Sequence, residues 1–284
     1  MILPRFLTAL VGVPLLVLAV WWGHIPFFVL IFGVVMLSLY EFYTLAGEAD
    51  WPLSKFTGLL LGAGLIAAVY LFGTRTDWTR GWAGAAETAL PAMLTGTILV
   101  LVLKPLFSRR DRESAFLNAG VTLIGLLYVV WTLSHLILIR DLRPLGREYT
   151  FFLLIVVWAL DIGAYAGGSR FGRRKLHESV SPKKTWEGAL AGTAAAVSAG
   201  LACRAAFLGT MGLRQAAGLA LGLAVLAQLS DLTESLFKRN VRVKDSGSLL
   251  PGHGGILDRF DSFLLTSPVY YYVLVMFAGH SGAP

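Results

Sequence analysis

Apolar runs of about 20 residues, separated by short polar connections, follow one another along almost the whole chain. An α-helix needs a run of that length to cross the hydrocarbon core of a bilayer. The pattern therefore predicts an all-α, polytopic membrane protein with about nine transmembrane helices and no soluble domain. We place the spans at about residues 6–22, 26–46, 56–73, 85–107, 115–139, 150–169, 188–208, 215–237 and 262–279.

Composition supports this prediction and excludes a soluble protein. Hydrophobic residues make up 56% of the 284 residues and charged residues only 14%, too few to cover the surface of a soluble domain of this size. Cys203 is the single cysteine, so no disulfide can form within the chain. The second apolar run follows the first closely and without a small-residue cleavage pattern, which favours a retained helical hairpin over a removed signal peptide.

Lysine and arginine are distributed unevenly between the connections. Most of the 24 basic residues fall at the N-terminus and in every second connection, which by the positive-inside rule places those segments in the cytoplasm. The cytoplasmic set includes two unusual polar loops, 170–187 and 238–261. The net charge of +7 is explained by this topology and by attraction of the basic residues to anionic lipid headgroups. We therefore expect a multi-pass protein of the inner or plasma membrane without a nucleic-acid partner.

Two acidic residues near the polar loops, Asp161 and Asp231, lie within predicted spans, where an ionisable side chain is costly and usually faces a cavity or a partner. Asp161 lies in the sixth span, with Tyr165 one turn later on the same helix face. Asp231 lies near the cytoplasmic end of the eighth span and shares a helix face with Ser235 and Lys238. A ligand site and a helix–helix hydrogen bond are both open explanations for Asp231.

The loop 238–261 combines cations and carboxylates with a glycine turn. Its Pro-Gly-His-Gly-Gly run at 251–255 permits a tight turn and a close approach of the backbone to a ligand. A phosphate contact and a structural role are both open for His253. Near the start of the loop, Glu234 and Lys238 have the i, i+4 spacing of a helical salt bridge. A simple salt bridge and a role in the site are both open for this pair.

Asp258 and Asp261 are three residues apart at the start of the ninth span, so they point the same way on a helix. Acids in a first helical turn are also favoured by the helix dipole, which is the simpler explanation. Together with Asp231, the two residues are predicted to form an all-oxygen site for a hard cation such as Mg²⁺. The number of cations is left open.

The loop 170–187 contains a Ser-Pro-Lys-Lys sequence before the seventh span. Ser181 and Pro182 are typical of a helix cap followed by proline at the first helical position. Lys183 and Lys184 would then lie in the first turn, where cations oppose the usual rule unless the turn holds an anion. Positive-inside charge near the end of a span is the alternative explanation.

The segment from Ser235 to Asp261 resembles the signature of phosphatidate cytidylyltransferases, also called CDP-diacylglycerol synthases. The residues that carry the resemblance are Ser235, Phe237, Lys238, Arg239, Lys244, Asp245, Gly247, Leu250, Pro251, His253, Gly254, Gly255, Asp258, Arg259 and Asp261. Further matches occur upstream at Asp161, Tyr165, the run 181–188, Gln228 and Asp231. The resemblance thus covers residues 155–268, whereas the N-terminal half matches mainly in hydropathy, with Glu41 as its one polar hint.

The resemblance implies that the chain transfers a cytidylyl group from CTP to phosphatidic acid in the presence of Mg²⁺. The residues expected in catalysis are Asp231, Asp258, Lys238, Arg239, Lys244 and Arg259. Those expected at the substrates are Ser181, Lys183, Lys184, Thr185, Glu187, Asp161, Tyr165, Ser235, Asp245, His253, Gly254 and Gly255. Asp231, Asp258 and Asp261 are expected to hold the metal. The resemblance also favours a homodimer.

Residues 1–145 are accordingly predicted to be N-terminal transmembrane helices, and residues 146–284 a catalytic transmembrane region with both polar loops on the cytoplasmic face. Two other functions remain open at this point. A CTP-dependent lipid kinase of the polyprenol type would transfer the γ-phosphate instead, and a transporter for an anionic solute would also explain intramembrane carboxylates and basic loops. CDP-alcohol phosphatidyltransferases are disfavoured because the sequence lacks their aspartate motif.

Overall fold

The computed structural model describes residues 3–74, 83–107, 114–243, 246–247 and 254–280. Its helices are α1 (Leu3–Trp22), α2 (His24–Glu48), α3 (Lys55–Gly73), α4 (Ala83–Leu103), α5 (Ala115–Gly125), α6 (Thr132–Asp141), α7 (Gly146–Phe171), α8 (Trp186–Ala206), α9 (Leu213–Asn240) and α10 (Leu257–His280). A 3₁₀ turn (Lys104–Phe107) follows α4, and a π-helical turn (Leu126–Trp131) joins α5 to α6. The strands β1 (Lys175–His177) and β2 (Ser181–Thr185) form an antiparallel hairpin.

Eight of the described helices are long and apolar enough to cross a membrane. One of them is the continuous helix Ala115–Asp141, which combines α5, the π-helical turn and α6. In α1, the apolar segment Leu10–Trp22 is shorter. The prediction of an all-α, polytopic membrane protein is therefore confirmed, because the hairpin is a minor addition to the described helices. The number of spans and the orientation of the N-terminus stay predictions.

Residues Met1–Leu142 and Val241–Phe260 form one compact unit, which we call the first unit. A buried tyrosine organises its helices. The hydroxyl of Tyr43 in α2 donates a hydrogen bond of 2.7 Å to the carbonyl of Thr122 in α5. A Cβ atom at Gly58 or Gly125 would lie 2.5 or 2.4 Å from the Tyr43 ring. Glycine at these two positions therefore lets α3 and α5 pack closely against α2.

Residues Arg143–Asn240 and Asp261–Pro284 form the second unit. Its α7 and α8 pack in close contact through small residues. A Cβ atom at Gly192 of α8 would lie 2.7 Å from the carbonyl oxygen of Leu160, and one at Gly167 of α7 would lie 2.3 Å from the Cβ of Ala191. Small residues one turn apart allow helices to approach this closely inside a membrane, where apolar burial alone does not bring them together.

The prediction that Ser181 and Pro182 cap a helix is wrong. Both residues belong to β2, where Ser181 is paired with His177 and Thr185 with Lys175. The helix begins later, at Trp186, and its N-cap is Thr185, whose hydroxyl accepts a hydrogen bond of 3.2 Å from the backbone N–H of Gly188. Threonine is a common N-cap residue because its oxygen satisfies one of the free N–H groups of the first turn.

Lys183 and Lys184 consequently lie in β2 and not in the first turn of α8. Cross-strand pairing with β1 competes with helix formation here, and it positions both lysines immediately before the start of α8. The sequence pattern predicted that the two lysines lie in the first turn of the helix and oppose its dipole. In the structure they lie before the helix, so this unfavourable placement does not arise.

Candidate functional site

A cavity of about 270 Å³ lies in the second unit. Its walls come from α7, both strands of the hairpin, α8, α9 and α10. The polar residues that line it are Asp161, Tyr165, Lys183, Lys184, Thr185, Gln228, Asp231 and Ser262. The sequence predicts six of these as site residues, and Gln228 belongs to the family resemblance. Among these polar residues, Ser262 is the one that the sequence does not predict.

An ion pair connects the hairpin to α9 within this lining. The ammonium nitrogen of Lys184 lies 2.5 Å from a carboxylate oxygen of Asp231, and both side chains are partly exposed, at 28% and 30%. The second carboxylate oxygen of Asp231 accepts a hydrogen bond of 3.3 Å from the hydroxyl of Ser235. The predicted shared face of Asp231 and Ser235 on α9 is thus present in the structure.

Asp261 is a second carboxylate of the same unit that interacts with Asp231. Asp261 of α10 interacts electrostatically with Asp231, Asp161 and Lys238. The backbone around Asp261 is tied to α9, because its carbonyl accepts a hydrogen bond from the hydroxyl of Ser230. This arrangement holds two aspartates of neighbouring helices in each other's electrostatic field, with cationic side chains nearby. Such a group attracts a cation and, through that cation, a phosphate.

The carboxylates fit a magnesium ion in number and type. Mg²⁺ is commonly bound by one or two protein carboxylates, while phosphate and water oxygens supply the remaining ligands. Asp231 and Asp261 provide such a pair. Among the residues that the structure describes, no group of three or more His, Cys, Asp or Glu side chains could hold a metal ion by itself. The assignment of Asp258 to the same metal ion stays a prediction.

The salt bridge proposed as the alternative explanation for Glu234 is present. The Lys238 ammonium lies 2.5 Å from a carboxylate oxygen of Glu234, one turn earlier on α9, and the Glu234 side chain is fully buried. A buried charge is costly unless a partner compensates it. Lys238 therefore neutralises Glu234 and also lies within electrostatic range of Asp261.

The hairpin that carries the two lysines is fixed at both ends. The carboxylate of Glu187 accepts hydrogen bonds of 3.0 and 3.2 Å from the backbone N–H groups of Arg173 and Arg174. At the turn, Nε of Arg239 in α9 donates to the carbonyl of Val180 at 3.2 Å. Glu187 and Arg239 are both predicted to act on substrates. In the structure they hold the hairpin that carries Lys183 and Lys184.

The described part of the predicted loop 238–261 folds in the first unit around a carboxylate that the sequence analysis had not assigned. Glu41 of α2 is buried, with 2% of its surface exposed. Its two oxygens accept hydrogen bonds from the backbone N–H groups of Ile256 at 3.0 Å and Leu257 at 2.8 Å, and from the hydroxyl of Ser246 at 3.2 Å. The only sequence signal for this role was an acid inside an apolar span.

Asp258 contacts the same loop. Its Oδ2 accepts hydrogen bonds from the backbone N–H groups of Ser246 at 2.9 Å and Gly255 at 2.8 Å. Gly254, next to it, has a φ of 79°, a conformation that glycine adopts without strain. Arg259 is exposed at the start of α10. Among the predicted residues of this loop, Lys244, Asp245 and His253 lie outside the described residues.

Known proteins similar to this one match it over most of its length. The profile of the cytidylyltransferase family matches residues 3–277. A phosphatidate cytidylyltransferase of Bacillus subtilis (strain 168) is 33% identical over 275 residues, covering 96% of this chain and 98% of that protein. The corresponding protein of Brucella suis biovar 1 is 32% identical over 274 residues, covering 96% and 93%, and that of Staphylococcus aureus (strain COL) is 35% identical over 213 residues, covering 75% and 79%.

Proposed function

The chain belongs to the cytidylyltransferase family, and on that premise we propose that it transfers the cytidylyl group of CTP to phosphatidic acid, giving CDP-diacylglycerol and pyrophosphate. The observation that carries this proposal is the cavity of the second unit, which is lined by Lys183 and by the ion pair between Lys184 and Asp231. Cations beside carboxylates suit a substrate that is a polyphosphate bound to a divalent metal ion.

The reaction is a displacement at phosphorus. An oxygen of the lipid phosphate attacks the α-phosphorus of CTP, a new P–O bond forms, and the bond to the bridging oxygen of the β-phosphate breaks, so that pyrophosphate leaves. Such a reaction requires alignment of the two substrates and neutralisation of their charge, not a covalent protein nucleophile. Lys183 and Lys184 would serve this purpose by donating charge-assisted hydrogen bonds to phosphate oxygens.

Mg²⁺ would be held by Asp231 and Asp261, and when bound it would neutralise charge on the triphosphate. The negative field of these carboxylates, with Asp161 nearby, supports this assignment. Lys238 would limit the repulsion between the acidic residues and the substrate, because its ammonium group interacts with both Glu234 and Asp261.

The loop of the first unit contributes the remaining candidate residues. We propose that Lys244 and Arg259 neutralise the phosphates of the two substrates and that Asp258 helps to hold the metal ion, as the resemblance to the family implies. Support comes from the order of the loop backbone, which Asp258 holds through its hydrogen bonds to Ser246 and Gly255. Glycine at 254 would allow a phosphate to approach the backbone.

The cellular setting follows from the same proposal. The apolar helices support a multi-pass membrane protein. We propose that it lies in the inner or plasma membrane with its active site facing the cytoplasm, where CTP is available, since the basic connections favour that orientation. A homodimer stays a prediction.

The test uses purified protein in detergent with phosphatidic acid, Mg²⁺ and CTP labelled either at the α- or at the γ-phosphate. We expect the α-label in lipid and the γ-label in pyrophosphate. A γ-label in lipid would identify a lipid kinase instead and overturn the proposal. If neither label reaches lipid while vesicles containing the protein take up an anionic solute, the transporter alternative would replace it.

A further inference from the structure

Glu41 is a buried acid about two turns before the end of α2, a helix long and apolar enough to cross a membrane, and 2% of its surface is exposed. A carboxylate in such surroundings is tolerated only when hydrogen bonds or charges compensate its lost hydration. The compensation comes from the loop that follows α9, through two backbone N–H groups and one hydroxyl. The three donors belong to residues separated from Glu41 by 205 to 216 positions in the sequence.

The position of the donors explains why a carboxylate suits this place. Ile256 precedes α10 and Leu257 begins it, so their N–H groups are among those that a helix leaves without an internal partner. An anion at a helix N-terminus is stabilised both by these hydrogen bonds and by the helix dipole. Glu41 therefore acts as a fixed anion that caps α10 from another helix.

The fit between Glu41 and the loop is close. A Cβ atom at Gly255 would lie 2.4 Å from one carboxylate oxygen of Glu41, and one at Gly247 would lie 2.7 Å from the other. Neither glycine has a positive φ in the structure, so their small size, and not backbone freedom, is what the contact requires. Larger residues at either position would push the loop away from the carboxylate.

The same hydrogen-bond network continues from Glu41 to Asp258. The hydroxyl of Ser246 donates to Glu41 at 3.2 Å and accepts from the backbone N–H of Asp258 at 3.3 Å. The backbone N–H of Ser246 in turn donates to the carboxylate of Asp258 at 2.9 Å. Ser246 is thus held by Glu41 on one side and by Asp258 on the other, and the orientation of Asp258 depends on both.

We propose that Glu41 is a positioning residue for the cytidylyl transfer: it orders the loop backbone around Ser246 and 254–257 and thereby orients Asp258 and Arg259. This inference rests on the proposed function, because it assigns those two residues a part in the reaction. Glu41 itself touches no substrate in this assignment and acts only through the loop.

Hydrogen–deuterium exchange of the full chain in detergent tests the inference directly. The variant Glu41→Gln keeps the size of the side chain but replaces one acceptor oxygen by an amide that cannot accept from an N–H group. We expect exchange of the amides in residues 254–258 to become at least about tenfold faster, because local opening becomes easier when a buried hydrogen bond is lost. Exchange in α7 to α9 should stay unchanged.

Ser38→Ala is the matched control. Ser38 is buried on the same helix, one turn before Glu41, and its hydroxyl makes no hydrogen bond among the described residues. Its variant should exchange like the wild-type protein. If Glu41→Gln does not fold, Ser246→Ala removes the hydroxyl that donates to Glu41 and accepts from the backbone N–H of Asp258, while the two backbone donors to Glu41 stay. It should produce a smaller acceleration in the same segment.

Kinetics separate positioning from a merely structural role. For Glu41→Gln we expect kcat to fall about tenfold or more, while KM for CTP changes less than about threefold, because the cavity lysines of the second unit are unaffected. Unchanged exchange in 254–258 would overturn the inference, and so would faster exchange with an unchanged kcat. If the wild-type protein forms no CDP-lipid, the proposed function is wrong. The exchange experiment would still show whether Glu41 orders residues 254–258.

Discussion

The Lys184 ammonium and the Asp231 carboxylate lie 2.5 Å apart, and this ion pair connects the hairpin β1–β2 to α9. It brings together two residues that are 47 positions apart in the sequence and gives the cavity a cationic and an anionic wall. The pair is partly exposed, so solvent screening leaves it little value for stability. We therefore attribute its importance to substrate binding.

Replacement of Lys184 by alanine is expected to lower kcat/KM for CTP by about 10- to 100-fold. One charge-assisted hydrogen bond to a phosphate contributes about 1.5–3 kcal/mol, which corresponds to that range. Steady-state kinetics with CTP as the varied substrate measure the change. Arg214→Ala, which removes one exposed cation elsewhere on α9, should leave kcat/KM unchanged. Equal losses in both variants would show that general electrostatics, not a specific contact, is responsible.

Replacement of Asp231 or Asp261 by asparagine is expected to raise the Mg²⁺ concentration for half-maximal activity by about tenfold or more, because an amide oxygen is a weaker ligand for a hard cation. A Mg²⁺ titration at saturating CTP measures this. Asp50→Asn serves as the control, since Asp50 is exposed and has a φ of 56°, which asparagine tolerates. Normal turnover of Asp231→Asn across the whole titration would contradict the metal assignment.

Gly192→Ala is expected to destabilise the second unit by about 1–3 kcal/mol, because the added methyl group would lie 2.7 Å from a backbone carbonyl of α7 and overpack the contact. Thermal unfolding in detergent reports the change. Gly218→Ala on α9 is the matched control, because no atom lies within 4 Å of its new methyl group, and alanine favours the helix. A neutral Gly192→Ala variant would show that α7 and α8 can separate without cost.

Thr185→Ala is expected to lower the free energy of unfolding by about 1 kcal/mol through loss of the N-cap of α8. The loss should be accompanied by weaker CTP binding, since Lys184 immediately precedes the cap. Thr185→Ser keeps the hydroxyl that accepts from Gly188 and should retain both properties. Chemical denaturation and a CTP binding assay measure the two effects, and identical behaviour of the alanine and serine variants would exclude the capping role.

The membrane helices were predictable because the length of an apolar run is a local property of the sequence. The predicted boundaries of the sixth span (150–169) lie inside α7, which begins at Gly146 and ends at Phe171. The polar ends of such helices continue beyond the hydrocarbon core, where hydropathy no longer identifies them.

The hairpin was not predicted, for a physical reason. Ser181-Pro182 is equally compatible with a helix start and with a short strand, and the choice depends on cross-strand pairing between Lys175 and Thr185. That pairing is not a local preference of either segment. Four residues that line the cavity could nevertheless be singled out from the sequence, because Asp161 and Asp231 within spans and the paired lysines Lys183 and Lys184 stand out against apolar surroundings. Their functional roles stay predictions.

The role of Glu41 was inaccessible from the sequence for a related reason. An acid within an apolar span indicates that a partner exists but does not identify it. Here the partners are backbone N–H groups of Ile256 and Leu257, which leave no trace in side-chain identity. Only the folded chain shows that the N-terminal half holds this loop.

Because Glu41 and Leu257 are encoded 216 codons apart, genetic recombination readily separates them. A hybrid gene that joined the first 142 codons of one relative to the remainder of another would pair a carboxylate from one parent with a loop from the other. Viable chimeras should therefore be those whose two parents supply an acid at 41 together with glycines at 247 and 255, whatever the similarity of their other helices.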